Sequence, residues 1–291
     1  MPTPEKQNIL LLLPIILLYS IFIGGGLLEV MIESMGFIPT LGLTQLSLNH
    51  YREILENPDL LGSLGYSLYL AFVSASLSTV FGVFIAYKMV ISENGTMKKL
   101  TTKILQAGIV LPYLYVVFLI MLMMSRTGFV SRVFYHLRFI DGLEQFPNFV
   151  YDPLGFGIIT VFVVKGTPFI ALFVVNVMAN ISNTYSHVAK TLGSSNLWIL
   201  KKIYLPLSSN VILWTSAIIF AYDLGSFEVP YLLGTVKVIS LSSKLYSLYI
   251  NPSIETIPTS MAMNLIILCV GLISVGIYSV VLSRMLRGKR R

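Results

Sequence analysis

Charge is what this sequence has least of. Only 11% of its 291 residues are Asp, Glu, Lys or Arg, against about 25% in soluble domains. With 55% hydrophobic residues and a mean hydropathy of +0.81, a soluble exterior is excluded and the chain reads as a membrane protein. Cysteine is almost missing. Cys269 stands alone in an apolar run, so neither an internal disulfide nor a cysteine-based metal site can be built. The three histidines, His50, His136 and His187, are far apart and make no His-Glu-x-x-His or similar metal spacing. There is no Gly-x-Ser-x-Gly elbow and no Gly-x-x-x-x-Gly-Lys-Ser/Thr phosphate loop. The expectation is a chain with no catalytic residues, no metal and no cofactor of its own.

What is present are long apolar runs. A bilayer needs about 20 such residues per helix, and six stretches qualify: Ile9–Leu28, Ser67–Ile91, Ile104–Met124, Phe156–Ala179, Val211–Leu233 and Met261–Met285. Helices satisfy their own backbone within hydrocarbon, and the short alternating segments of a closed barrel are absent. The expected fold is therefore an all-α polytopic membrane protein, one domain over residues 1–291 with six transmembrane helices. The first run is too long for a signal peptide, is flanked only by Lys6 and precedes no small-x-small cleavage site, so it is expected to remain as the first span.

Basic residues set the orientation. With a cytoplasmic N-terminus, thirteen of the twenty Lys and Arg residues fall on the cytoplasmic side, among them Lys88, Lys98, Lys99, Lys103, Lys190, Lys201 and Lys202 and the tail from Arg284. Only Glu5 and Glu93 accompany them there, a positive-inside pattern. Both termini are expected in the cytoplasm. The tail RMLRGKRR reads as an anchor against anionic membrane lipid, and no nucleic-acid partner is expected.

Outside the spans, residues 43–65 place Leu48, Tyr51, Ile54 and Leu55 at helical spacing before Asn57-Pro58, which predicts a short helix on the outer surface. Residues 125–153 mix charges and aromatics with no assignable period. Within the second run Ser74, Ser78, Gly82 and Ala86 are four apart, a small-residue face for close helix packing. Packing within the chain is the preferred expectation, a subunit interface the second.

The stretch HVAKTLGSSNLWILKKIYLP, residues 187–206, is basic and half apolar between two greasy runs. Val188, Ala189 and Leu192 form a stripe, Gly193 fits a left-handed helix cap, and Ser195 or Asn196 can cap a second helix. In that helix Leu200, Ile203 and Tyr204 share a face away from Lys201 and Lys202, and Pro206 ends it. The prediction is helix, glycine turn, helix.

The pattern Ala189-x-x-Leu192-Gly193, followed by Leu205-Pro206, resembles the EAA loop of the permease subunits of binding-protein-dependent ABC importers. His187 stands where Glu is usual and Val188 where the first Ala is usual, with Thr191 inside the motif. LSLNHYREILENPDLLGSLGYSLYLA at 46–71, the KGTPF stretch at 165–169 and YDLGSFEVPYLLG at 222–234 look like the same family, the last closest to its spermidine/putrescine, ferric iron and phosphonate branch. The resemblance implies a type I importer permease fold, with a cytoplasmic coupling helix between helices 4 and 5, over a coupling loop of about 182–206. It implies work as a pair with itself or a sister permease, a dimer of separate ATPase subunits that hold ATP and Mg, and an extracytoplasmic substrate-binding protein, all at a bacterial inner membrane. The solute it implies is small and of the polyamine, phosphonate or ferric iron class, with polyamine transport among the expected roles.

Three ionisable residues lie within spans: Lys165, Asp223 and Glu228. At about 1.5 Å per residue, Lys165 and Asp223 fall at similar depth, and a buried charge wants a partner or a wet path. The expectation is that the two face the path and pair when it is closed. Gly225, Pro230 and Gly234 break the fifth run at its outer end, which makes Tyr222, Phe227, Glu228 and Pro230 candidates for the path as well. Two rivals stand against the importer: a stand-alone ion-coupled secondary transporter using Asp223 and Glu228, and a polytopic membrane enzyme, which would need clustered acids or histidines at one depth.

Overall fold

A computed structural model describes residues 4–181, 185, 187–250, 253–254 and 256–287, without the side chains of 4–11, 187 and 285–287. Among the described residues there is no strand, only one bridge between Ile38 and Leu43. The helices in chain order are α1 (Pro4–Tyr19), α2 (Gly25–Ser34), α3 (Asn49–Glu56), α4 (Pro58–Ile91), α5 (Gly95–Val110), α6 (Tyr113–Met124), α7 (Phe129–His136) and α8 (Phe156–Ile181). There follow α9 (His187–Thr191), α10 (Asn196–Ile199), α11 (Leu205–Leu207), α12 (Ser209–Gly225), α13 (Glu228–Leu233), α14 (Leu241–Ile250) and α15 (Thr256–Arg287). Five stretches are long and apolar enough to cross a membrane: Leu12–Ser34, Pro58–Ile91, Tyr113–His136, Phe156–Ile181 and Thr256–Arg284. The bent pair Asn196–Leu207 and Ser209–Gly225, 70° apart, raises the number to as many as six. The all-α polytopic expectation holds.

Two boundaries differ from the sequence expectation. The third run, Ile104–Met124, is not one helix: α5 ends at Val110, Leu111 turns extended (φ −60°, ψ 126°), and α6 starts at Tyr113. Pro112 causes the break, because it has no N–H to continue the ladder. The fifth run, Val211–Leu233, divides into α12 and α13 at Ser226-Phe227, beside the glycine and proline residues that predicted a break there. Segment 125–153 contains α7 and a 3₁₀ turn at Leu143–Gln145.

The chain forms two compact units, described separately. Residues 1–61 and 245–269 make the first. There α1 and α2 join through a π-helical turn at Ser20–Gly24, and the side chains from Leu12 to Leu28 are largely exposed and apolar. The predicted surface helix is α3, ended by extended Asn57, with Ile54 buried and Leu55 exposed. It is tied down by a contact of Tyr51 with the Ser34 hydroxyl (2.6 Å) and of His50 with Thr259 (3.2 Å).

Residues 62–244 and 270–291 make the second unit. Its centre is α8, against which α5, α6 and α12 pack. The small-residue face of α4 packs within the chain, as preferred. A Cβ on Gly82 would lie 2.9 Å from Ile170 Cβ, and one on Gly166 would lie 2.7 Å from Ser78 Oγ, so glycine on both helices permits the approach. The hydroxyls of α4 return only in part to their own helix: Ser74 Oγ lies 2.7 Å from the Leu70 carbonyl and Thr79 donates to that of Ala75 (2.7 Å), while Ser78 Oγ has no hydrogen-bond partner among the described residues. Each bond made lowers the cost of a polar side chain where no water can reach it.

Candidate functional site: an elbow and a charged layer

The elbow lies in the second unit. α9 ends in a closed double hydrogen bond: the Gly193 N–H donates to the Lys190 carbonyl (2.9 Å) and the Ser194 N–H to that of Ala189 (3.0 Å). This is the Schellman arrangement, which needs a left-handed residue at the turn. Gly193 supplies it at φ +80°, and no atom would crowd a Cβ there, so the requirement is conformational rather than spatial. The Ser195 hydroxyl then caps α10, accepting from Trp198 N–H at 3.3 Å. The helical path continues through a π turn at Leu200–Tyr204 to α11. Pro206 sits in the first turn of α11, and the 70° bend follows it at Ser208 rather than at the proline itself.

One side of the elbow is clamped to the bundle. Ile199 and Tyr204 are fully buried, with Leu200, Ile203 and Leu205 packed against the same cluster. The Tyr87 hydroxyl donates to the Asn196 carbonyl (2.8 Å), and its ring meets Tyr204 edge-on at 5.9 Å. Lys201 and Lys202 face outward, as expected. The opposite side is apolar and open: Leu192 is 80% exposed, Val188 and Leu197 59%, Trp198 49%. Ala189 is buried and Thr191 donates to the Val188 carbonyl at 2.8 Å. The backbone of His187 opens α9; its side chain lies outside the described residues. Leu197 and Trp198 escaped the sequence reading. Their signal was there, since Ile199 and Ile203 are four apart and turn the preceding pair to another side.

Lys165 and Asp223, expected to pair when the path is closed, have separate partners in this structure. Lys165 is buried on α8, and its ammonium donates to the carbonyls of Gly108 (2.9 Å), Ile109 (3.0 Å) and Leu111 (2.5 Å). Three donors meet three acceptors. The position of these carbonyls explains the contact. Pro112 has no N–H to give the Gly108 carbonyl four residues back, and beyond it the chain turns away from the helix axis. Lys165 supplies donors to the end of α5 that the chain itself cannot. A cation at a helix C-terminus also suits the helix dipole. Gly108 makes the reach possible, since a Cβ there would stand 2.9 Å from the ring of Pro168. Tyr113 covers the ammonium at 4.9 Å from its ring centre and stacks on Tyr222 at 4.9 Å.

Asp223 finds a different partner. It is 3% exposed on α12 and takes the Ser74 hydroxyl of α4 at 2.6 Å through Oδ2, while Oδ1 has no hydrogen-bond partner among the described residues. Lys165 and Asp223 are both buried, but matching their depth along the sequence carries no information on which face each helix presents. Tyr222 and Glu228 are exposed, Phe227 half-buried and Pro230 buried. Among the described residues no cluster of His, Cys, Asp and Glu could hold a metal ion.

Comparisons with known proteins agree with this architecture. The family model for the binding-protein-dependent transport system inner membrane component matches residues 78–287. The glucose import system permease protein GlcT of Saccharolobus solfataricus is 24% identical over 71% of this chain and 72% of its own length. The sulfate transport system permease protein CysT of Salmonella typhimurium is 24% identical over 67% of this chain and 66% of its own. Those names lend no weight to the polyamine, iron and phosphonate branch. Among solved structures, a bacterial ABC transporter for import of alginate aligns with a TM-score of 0.78 at 16% identity, over 99% of this chain and 97% of that one. The MetNI methionine ABC transporter, inward facing, aligns with a TM-score of 0.56 at 16% identity, over 80% and 97%. Family match, helix order and elbow converge: this chain belongs to the inner membrane components of binding-protein-dependent transport systems and has the fold of type I ABC importer permeases.

Proposed function

We propose that this chain forms half of the translocation path of an ATP-driven importer, with the elbow as its drive point. The observation that carries this is the two-sidedness of the elbow. Its inner side is locked to α4 and the core through Tyr87, Ile199 and Tyr204, so a push on it moves the bundle. Its outer side leaves Leu192, Leu197 and Trp198 bare at the membrane edge, a patch that fits a cleft on another protein. That protein is an ATPase dimer holding ATP and Mg, on the cytoplasmic side where both termini also lie. A second permease copy or sister completes the path, and a binding protein delivers the solute from outside. The alginate transporter, whose fold this chain shares, has been seen in complex with a pentasaccharide-bound periplasmic protein.

The solute is small, polar, and neutral or cationic. The exposed rim groups Tyr222 and Glu228 offer an aromatic face and a carboxylate, while the Lys165 ammonium is occupied by carbonyls. Polyamines fit that rim, and so does a sugar; phosphonate lacks its cation. Reconstitution in vesicles tests both parts. Uptake should need ATP, the ATPase and the binding protein, and spermidine or glucose should compete where sulfate does not. Uptake driven by an ion gradient through this chain alone would establish the secondary-transporter alternative instead.

A further inference from the structure

Between the end of α4 and the start of α5 is a cleft of about 360 Å³, and an adjoining one of about 460 Å³ opens toward α8. Lys98 lines both, and Lys88 stands at the mouth of the first with Ser92 and Thr101. Neither lysine is in an ion pair among the described residues. Lys88 instead sits over the Phe84 ring at 5.6 Å.

Lys98 is also in an awkward place. α5 begins at Gly95, its first N–H groups capped by Asn94, and no acid lies in the first turn. Lysines at a helix N-terminus oppose the dipole. Lys98 therefore puts positive charge where an anion would be favoured, and the nearest acid in sequence, the exposed Glu93, lines neither cleft and makes no ion pair among the described residues. A local rule broken without internal compensation points to something outside the chain.

The walls say what that is. Leu77, Phe81, Phe84 and Lys88 recur at four, three and four residues, so one exposed apolar stripe of α4 runs along the membrane and ends in an ammonium. Met97, Leu100 and Ile104 of α5 are exposed as well. The level is fixed too: Tyr87, next to Lys88, donates to Asn196 of the elbow, so the mouth lies on the elbow's side of the membrane. We propose that this cleft holds an anionic phospholipid of that leaflet, its phosphate between Lys88 and Lys98 and an acyl chain along the Phe81–Phe84 stripe. Basic pockets between membrane helices on the cytoplasmic side suit such headgroups. Seated there, the lipid braces the α4–α5 corner one residue from the tyrosine that grips the elbow.

Native mass spectrometry of the assembled transporter tests this, with equal parts phosphatidylglycerol and phosphatidylcholine in the vesicles it is extracted from. The wild type should retain phosphatidylglycerol selectively. Lys88→Gln/Lys98→Gln should weaken retention about thirtyfold and each single change about fivefold, the weight of one basic residue at an anionic surface. The charge-matched Lys99→Gln/Lys103→Gln, outside both clefts, should retain the lipid as the wild type does, and so should Lys88→Arg/Lys98→Arg. Should the double glutamine variant not assemble, the single variants carry the test. Equal retention of phosphatidylcholine, an equal loss in the control variant, or no loss in the glutamine variants overturns the proposal. So does displacement by soluble glycerol phosphate, which would make the ligand a free phosphate compound.

Discussion

Two helix ends in the second unit meet the same need by opposite means. α9 ends at a glycine, and its last carbonyls are closed by N–H groups of the next residues, Gly193 and Ser194. α5 ends at a proline, and its last carbonyls are closed by an ammonium from α8. The first end is set by local sequence and survives wherever the segment goes. The second exists only when α8 is in place. A local cap suits a part that must keep its shape while it moves, as the proposed drive elbow would. A borrowed cap welds two helices and suits the frame.

That contrast can be broken from either side. The largest effect is expected at the borrowed cap. Lys165→Met leaves three part-buried carbonyls without this donor, and at about 1–3 kcal/mol for an unsatisfied group away from water, the assembled permease should lose ~3 kcal/mol. Unfolding in mild detergent measures it, and a loss below 1 kcal/mol would mean that the carbonyls find other donors. The local cap should be cheaper. Gly193→Val forces a β-branched side chain to φ +80°, at a cost of about 1–2 kcal/mol, and Gly193→Asn should cost less because Asn tolerates that conformation. The valine variant should reach the membrane yet hydrolyse ATP without matching uptake.

Smaller again is Asp223→Asn. The amide keeps the Ser74 contact and removes any charge from a site where Oδ1 has no partner, so stability should change by less than about 1 kcal/mol, and in the favourable direction. A loss above 2 kcal/mol would show that the carboxylate has a partner in another state, as the expected pair with Lys165 requires. Least of all is the stability effect of Leu192→Ser with Trp198→Ala. Both side chains are exposed, so stability should stay within about 0.5 kcal/mol, while uptake in the assembled transporter should fall at least tenfold. If the variant transports normally, the bare face has no partner.

The same contrast explains what was legible in the sequence. Glycine turns, caps and apolar spacing act over a few residues, and α3, the elbow and the break before α13 follow from them. The Gly82 face also declared itself, since small residues at a fixed spacing constrain any partner. Lys165 did not, because its partners are main-chain carbonyls 54 to 57 residues away. Backbone acceptors carry no side-chain signature. Pro112 held the missing clue: a proline within an apolar run leaves a carbonyl open one turn earlier, and a lysine at matching depth is a donor for it.

The most direct test of the elbow's role places one cysteine on its open face. With Cys269, exposed in α15, changed to Ser, Leu192→Cys in the assembled transporter should crosslink to the ATPase subunit, and the yield should change when ATP binds. Labelling of that cysteine by a membrane-impermeant reagent from outside, with no ATPase adduct, would contradict the account.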